Sequence, residues 1–376
     1  MSYSTTIAAQ AGFEAARCLH HLPADHKAHR LHGHSFVARV RAAVQPNWAD
    51  FAGGEVAKLN AQLQALVEQL DYRDLNAQLP QPDDAAIAQW LHSQLQQPGL
   101  TLTQVGVRSH PLQGVELLED GQTLVWRRYL LQSAHQLPNV PAGHKCGRMH
   151  GHGFEVVLHA RMQEGVTADT LDAVWAPMHA LLDHACLNDI AGLENPASEN
   201  MSAWLWHRLQ PQLPSLQTVT VYETQSCGAT YDGSLYRIWK EMTLDSAVQL
   251  RHAPDGSKLR RLHGHTYTLR LHLCAPLDQV KGWTVDFGDV KEIFTPIFKE
   301  LDHRPLYQRP DLADCDAASL AAWVLTTTRQ SLPQLDRVEM FETAGNGASV
   351  AIGAQHPLPV QACRIRSKNF ATRYKA

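Results

Sequence analysis

RLHGHSFVARVRAAV (30–44), RMHGHGFEVVLHARM (148–162) and RLHGHTYTLRLHLCA (261–275) are three versions of one pattern within a chain of 376 residues. Each contains a His-Gly-His triplet, at His32-Gly33-His34, His150-Gly151-His152 and His263-Gly264-His265. Each triplet runs into an apolar-rich stretch of strand character. A second landmark recurs downstream, at Leu70-Asp71-Tyr72, Leu182-Asp183-His184 and Leu301-Asp302-His303. Its Asp lies 39, 33 and 39 residues beyond the first His of its triplet. A period of about 115 residues is too long for a solenoid and reads as three whole domains in tandem.

Working outward from the triplets, each unit reads strand, strand, helix, helix, strand, strand. In the first unit Val56, Leu59, Leu63, Leu66, Val67 and Leu70 fall on one helical face, and Ile87, Trp90, Leu91 and Leu95 on another. Val290, Ile293, Phe294, Ile297, Phe298 and Leu301 repeat the design in the third. The junctions are short: Glu119-Asp120-Gly121 and Tyr231-Asp232-Gly233. Asp-Gly between β-prone runs is a hairpin signal, so the last strand of one unit is expected to pair with the first strand of the next in one continuous sheet. The expected units are 1–120, 121–233 and 234–354, followed by a basic tail, 355–376, read as solvated.

Composition excludes several classes. Net charge is −4, which argues against nucleic acid as the default partner. No apolar run approaches membrane-spanning length, and the N-terminus lacks the pattern of a secretory signal. Seven scattered cysteines in a chain this long do not resemble a disulfide framework, and a reducing cytoplasm is the expected setting. The unusual count is 22 histidines.

Residues i and i+2 of a strand share a face, so His150 and His152 present two imidazoles on one side. His135 ends the preceding strand-like run; if the two strands pair antiparallel, three histidines converge. Three neutral ligands leave a zinc ion with an open position and its charge uncompensated. An isolated His-x-His pair is more often a satisfied surface feature, but the repeat supplies an internal control. Arg17 and Val248 stand where His135 does, so one zinc per chain is expected, in the second unit. Cys146 lies in the polar loop Gly143–Arg148, where flanking cations favour a thiolate; Ala28 and Leu259 replace it in the other units. Asp183-His184 and Asp302-His303 have the form of proton relays, whereas Asp71-Tyr72 does not. Glu223 lies 40 residues after Asp183, as Glu342 lies 40 after Asp302, with Ser109 nearest in the first unit. A buried carboxylate at such a strand end can accept two hydrogen bonds from a guanidine-like edge.

SAHQLPNVPAGHKCGRMHGHGF (133–154), with LLDHACLNDIAGLENPASEN and VTVYETQSCGA downstream, resembles the 6-pyruvoyl- and 6-carboxytetrahydropterin synthase family, most closely its bacterial 6-carboxy members of the queuosine pathway. The resemblance covers roughly 124–237; FEAAR, RLHGHSF, RLHGHTY and FETAGNG carry a looser one in the outer units. It implies an α+β fold of three ββααββ units joined in a twelve-stranded antiparallel barrel with helices outside, and a homodimer of such rings. It also implies a pterin triphosphate substrate, 7,8-dihydroneopterin triphosphate, converted to 6-carboxy-5,6,7,8-tetrahydropterin with loss of acetaldehyde and triphosphate. On this reading Zn2+ sits on His135, His150 and His152, Cys146 is the base, and Glu223 anchors the pterin. An Asp-His relay comes from another unit: Asp302-His303 is the expected partner of Cys146, with Asp183-His184 the alternative. The competing readings are a 6-pyruvoyl-forming or other dihydroneopterin triphosphate lyase, and a pterin-binding or assembly protein without turnover.

Overall fold

The computed structural model describes residues 3–163, 165–274 and 287–353; the expected basic tail lies outside them. The first unit runs β1 (Tyr3–Arg17), β2 (His32–Val44), α1 (Glu55–Val67), the short β3 (Arg73–Asp74), α2 (Asp84–Leu95), β4 (Leu100–His110) and β5 (Gln113–Leu118). The second runs β6 (Thr123–His135), β7 (His150–Arg161), α3 (Ala168–Leu182), α4 (Ser198–Leu209), β8 (Leu216–Thr224) and β9 (Cys227–Tyr231). The third runs β10 (Tyr236–Val248), β11 (His263–Cys274), α5 (Phe287–Leu301), the short β12 (Arg304–Pro305), α6 (Ala317–Thr328), β13 (Leu335–Thr343) and β14 (Asn346–Ile352).

The Asp-Gly turns do what their sequence predicts. Gly121 and Gly233 adopt φ of 82° and 94°, and the Asp232 carboxylate caps the second turn by accepting from the Ser234 and Leu235 amides. β5 therefore pairs antiparallel with β6, and β9 with β10. β14 pairs with β1, so the twelve long strands close on themselves with no free edge among the described residues. Closure removes the unpaired backbone row that makes an open sheet prone to aggregation.

Strand alternation divides the molecule into an outer apolar layer and a polar lumen. Phe36, Ala38, Val40 and Ala42 of β2 pack with Leu59, Leu63, Ile87 and Leu91 of the helices outside. The intervening side chains point inward and include arginines. Arg41 reaches across the lumen to Glu339 of β13, at 2.8 Å, and the buried Arg270 pairs with Glu241 at 2.7 Å. Trp126, Tyr222 and Trp239 also fill the lumen. Gly228 faces the Trp239 ring so closely that a Cβ there would lie 2.7 Å from it, which accounts for glycine at that register.

Candidate active site

Three imidazoles meet where β6 ends and β7 begins. His135 stands directly opposite His150 in the antiparallel register, and His152 follows on the same face. Ring centroids are 4.6 Å apart for His135–His150, 5.1 Å for His135–His152 and 4.9 Å for His150–His152. One nitrogen from each can be drawn within 4.8 Å of the others. Backbone carbonyls set the tautomers of two of the rings. His135 Nδ1 is 3.3 Å from the Pro196 carbonyl and His150 Nδ1 is 2.7 Å from the Arg148 carbonyl, so each Nδ1–H donates and leaves Nε2 as a lone pair. The Nε2 atoms of His135 and His152 are buried with no hydrogen-bond partner. The orphaned Nε2 of His135, with the His150 and His152 rings converging on it, fits the donor set a metal ion completes. Burial lowers the His135 pKa and favours the neutral, ligating form.

This triad opens into a cavity of about 670 Å³, lined by Cys146, His150, His152 and Glu223 among others. Cys146 is half-buried in a single 3-10 turn, with the His144 ring accepting from its amide. Glu223 lies at the end of β8, 3.5 Å from His152 Nε2. Burial alone would raise its carboxyl, but the His152 contact and the neighbouring imidazoles outweigh burial and hold it below the usual glutamate range. α4 covers one side through Ala197 and the buried Glu199. The comparison of triplets passed over Glu199; aligning the units at the start of their second helix finds it, because Ala85 and Ala318 occupy that place.

The outer units show why the triad is confined to the second. Arg17 faces His32 in the register of His135, so an arginine stands where the second unit has its third imidazole. Arg17 Nη1 pairs with Asp84 at 2.7 Å and donates to the Pro82 carbonyl at 2.9 Å, while Asp84 also accepts from Ser109. The first unit thus holds a buried, ion-paired arginine in place of a third ligand. Burial and the nearby Arg17 charge lower the His34 pKa to about 4. In the third unit Val248 faces His263, leaving two imidazoles and no third ligand.

The Leu-Asp landmarks have a backbone role in all three units. Asp71, Asp183 and Asp302 each accept from a strand amide, of Glu14, Gln132 and Asp245 respectively. The next residue, Tyr72, His184 or His303, takes a left-handed conformation with φ of 52° to 55°. His184 Nδ1 lies 2.8 Å from Asp183 and His303 Nδ1 lies 2.9 Å from Asp302. Both rings are solvent-exposed, and neither pair lines the cavity. The described third-unit residues that do line it are Lys240, Gly288 and Lys291. His303 follows the far end of α5, about 15 Å of helix beyond Lys291.

The sequence pattern of 6-pyruvoyl tetrahydropterin synthases matches residues 6–120, 124–234 and 237–352. The chain belongs to that family, in three copies. A 6-carboxy-5,6,7,8-tetrahydropterin synthase from Synechocystis is 31% identical over 120 residues, covering 29% of this chain and 92% of that protein. A dihydroneopterin monophosphate aldolase from Pyrococcus furiosus is 31% identical over 94 residues, covering 24% and 79%. A 6-carboxy-5,6,7,8-tetrahydropterin synthase from Haemophilus influenzae is 30% identical over 92 residues, covering 23% and 62%.

Proposed function

We propose that the second unit is a zinc-dependent lyase site that converts 7,8-dihydroneopterin triphosphate into 6-carboxy-5,6,7,8-tetrahydropterin, the deazapurine precursor of the queuosine route. The observation that carries this reading is the convergence of His135, His150 and His152, two of which line the same cavity as Cys146 and Glu223. His135, His150 and His152 would hold the ion, which when bound supplies Lewis acidity to side-chain oxygens of the substrate. Glu223, at the cavity wall, accepts from the guanidine-like edge of the pterin and fixes its orientation. Cys146 takes the proton that must leave the carbon chain next to the ring. An Asp-His pair returns it; because both pairs are exposed and lie outside the cavity lining, the relay is delivered by a second chain.

The atom balance provides the test. Loss of triphosphoric acid alone leaves an isomer of the pyruvoyl product. Adding one water and expelling acetaldehyde gives the carboxylate. Purified chain with zinc should release acetaldehyde and triphosphate in equal amounts. Triphosphate without acetaldehyde would establish the 6-pyruvoyl outcome instead. Carbon–carbon cleavage with the phosphate retained would establish an aldolase, the activity named for the Pyrococcus relative.

A further inference from the structure

The three unit junctions are built from the same two positions, and only one leaves both open for an anion among the described residues. The first position lies eight residues before the strand end that faces the triplet: Arg127, Lys240 and Ala9, counted back from His135, Val248 and Arg17. The second lies eleven residues before the landmark Asp: Asp172, Lys291 and Asn60, counted back from Asp183, Asp302 and Asp71. Where the first unit meets the second, Arg127 closes on Asp172 with Nε–Oδ1 at 2.7 Å, and Tyr129 and Gln113 complete the cluster. That junction is neutralised internally. Where the third unit meets the first, Ala9 and Asn60 carry no charge. Where the second meets the third, both positions are lysines, and both line the cavity that holds Cys146 and Glu223. Lys240 Nζ touches only the Ser226 hydroxyl, at 3.4 Å, and neither lysine has a carboxylate partner among the described residues.

We infer that the third unit, without a metal site of its own, supplies the cationic half of the second unit's site, with Lys240 and Lys291 binding the polyphosphate of the substrate across the junction. This rests on the reading of the substrate as a pterin polyphosphate. With Lys145 and Arg148, the two lysines outnumber the Glu199 and Glu223 carboxylates in the cavity lining and leave it a positive surplus, and a triphosphate carries several negative charges on a flexible chain. Lys145 and Arg148 of the second unit face the same cavity. Both recur in every unit, as Lys27 and Arg30 and as Lys258 and Arg261, so they do not distinguish this junction from the others. The cavity, at 670 Å³, lies within the roughly 300–1,000 Å³ of small-molecule sites. A metal site, a base and a ring anchor from one unit thus meet a phosphate clamp from its neighbour, which gives a role to a unit that lacks the third ligand and the cysteine.

The test copies the first junction into the second. Lys240→Arg with Lys291→Asp installs an ion pair that the fold already carries at Arg127–Asp172. Wild-type chain should bind inorganic tripolyphosphate by calorimetry, and the double variant should bind it at least tenfold more weakly. KM for dihydroneopterin triphosphate should rise by a similar factor, with a smaller change in kcat. Lys240→Gln with Lys291→Gln gives the same measurement should the first variant misfold. No tripolyphosphate binding by the wild type, or equal binding by wild type and variant, overturns the inference. The binding readout needs no turnover. A chain that binds tripolyphosphate through these lysines yet forms no carboxypterin would sink the proposed reaction and leave the anion site standing.

Discussion

At the scale of single residues, Cys146 and Glu342 carry the sharpest consequences. Cys146 is not among the converging ligands, so Cys146→Ala should retain zinc, measured by metal analysis, and the native melting temperature. Turnover should fall by roughly 10²–10⁴, the range for a lost acid–base group; near-normal activity would refute its role. Glu342 ends β13 in the third unit, where burial, and then the Asp316 charge, push its carboxyl up to about 7. In the unfolded chain the carboxyl ionises near the ordinary glutamate value of 4.5. Between those pH values the folded state keeps a proton that the unfolded state has lost, so stability falls as pH rises through that window. Glu342→Gln should therefore stabilise the fold at pH 8 relative to wild type, by roughly 1–2 kcal/mol after allowing for partial exposure, seen as a higher melting temperature, and do little at pH 5. An equal shift at both pH values would show that ionisation is not the cause.

At the scale of elements, the first unit shows how a lost metal site is stabilised. β1, α2 and β4 converge on Asp84, which accepts from Arg17 at 2.7 Å and from Ser109 Oγ at 2.8 Å. All three residues are buried. A buried pair is not in itself a large gain over apolar packing, but removing one partner strands the other. Asp84→Ala should destabilise the chain by about 3–5 kcal/mol in denaturant melts, since the buried Arg17 guanidinium would be left without a counter-charge. A loss below about 1 kcal/mol would mean that Arg17 turns out to solvent.

At the scale of the whole molecule, one chain closes one ring, and two expectations follow. Zinc should bind at one ion per chain, with His135→Ala abolishing it and His32→Ala or His263→Ala leaving the stoichiometry unchanged; three tightly bound ions would contradict this. Leu31, Met149 and Leu262 are 66%, 52% and 60% exposed at matching positions just before each triplet. Repeated exposure of apolar side chains at one end of a ring marks a surface for a second ring. The chain should sediment as a dimer, and Leu31→Glu with Leu262→Glu should split it. If the Asp-His relay crosses between rings, the split form keeps its zinc but loses turnover. His184→Ala and His303→Ala then report which pair serves Cys146. A fully active single ring would overturn the cross-ring relay.

The repeat, the convergence of the three histidines and the missing third ligand in the outer units were legible in the residues alone. Each depends on local rules: period-two alternation in a strand, Asp-Gly at a turn, one residue type standing for another at the same register. Three triplets and two Asp-Gly turns therefore sufficed to expect the continuous sheet, and Arg17 and Val248 to expect a single metal site. Tertiary structure decided what depends on contacts between units. No local rule states that Lys291, on a helix of the third unit, opens onto a cavity of the second, or that Arg127 closes on Asp172 while its counterpart Lys240 stays open. Nor could sequence separate the two roles of the Leu-Asp landmark. Asp183 and Asp302 clamp a strand amide as Asp71 does, and that geometry places both histidines in solvent, away from the cysteine they were expected to serve. Ring closure brings distant segments side by side, and side chains across a junction acquire their chemistry only from that juxtaposition.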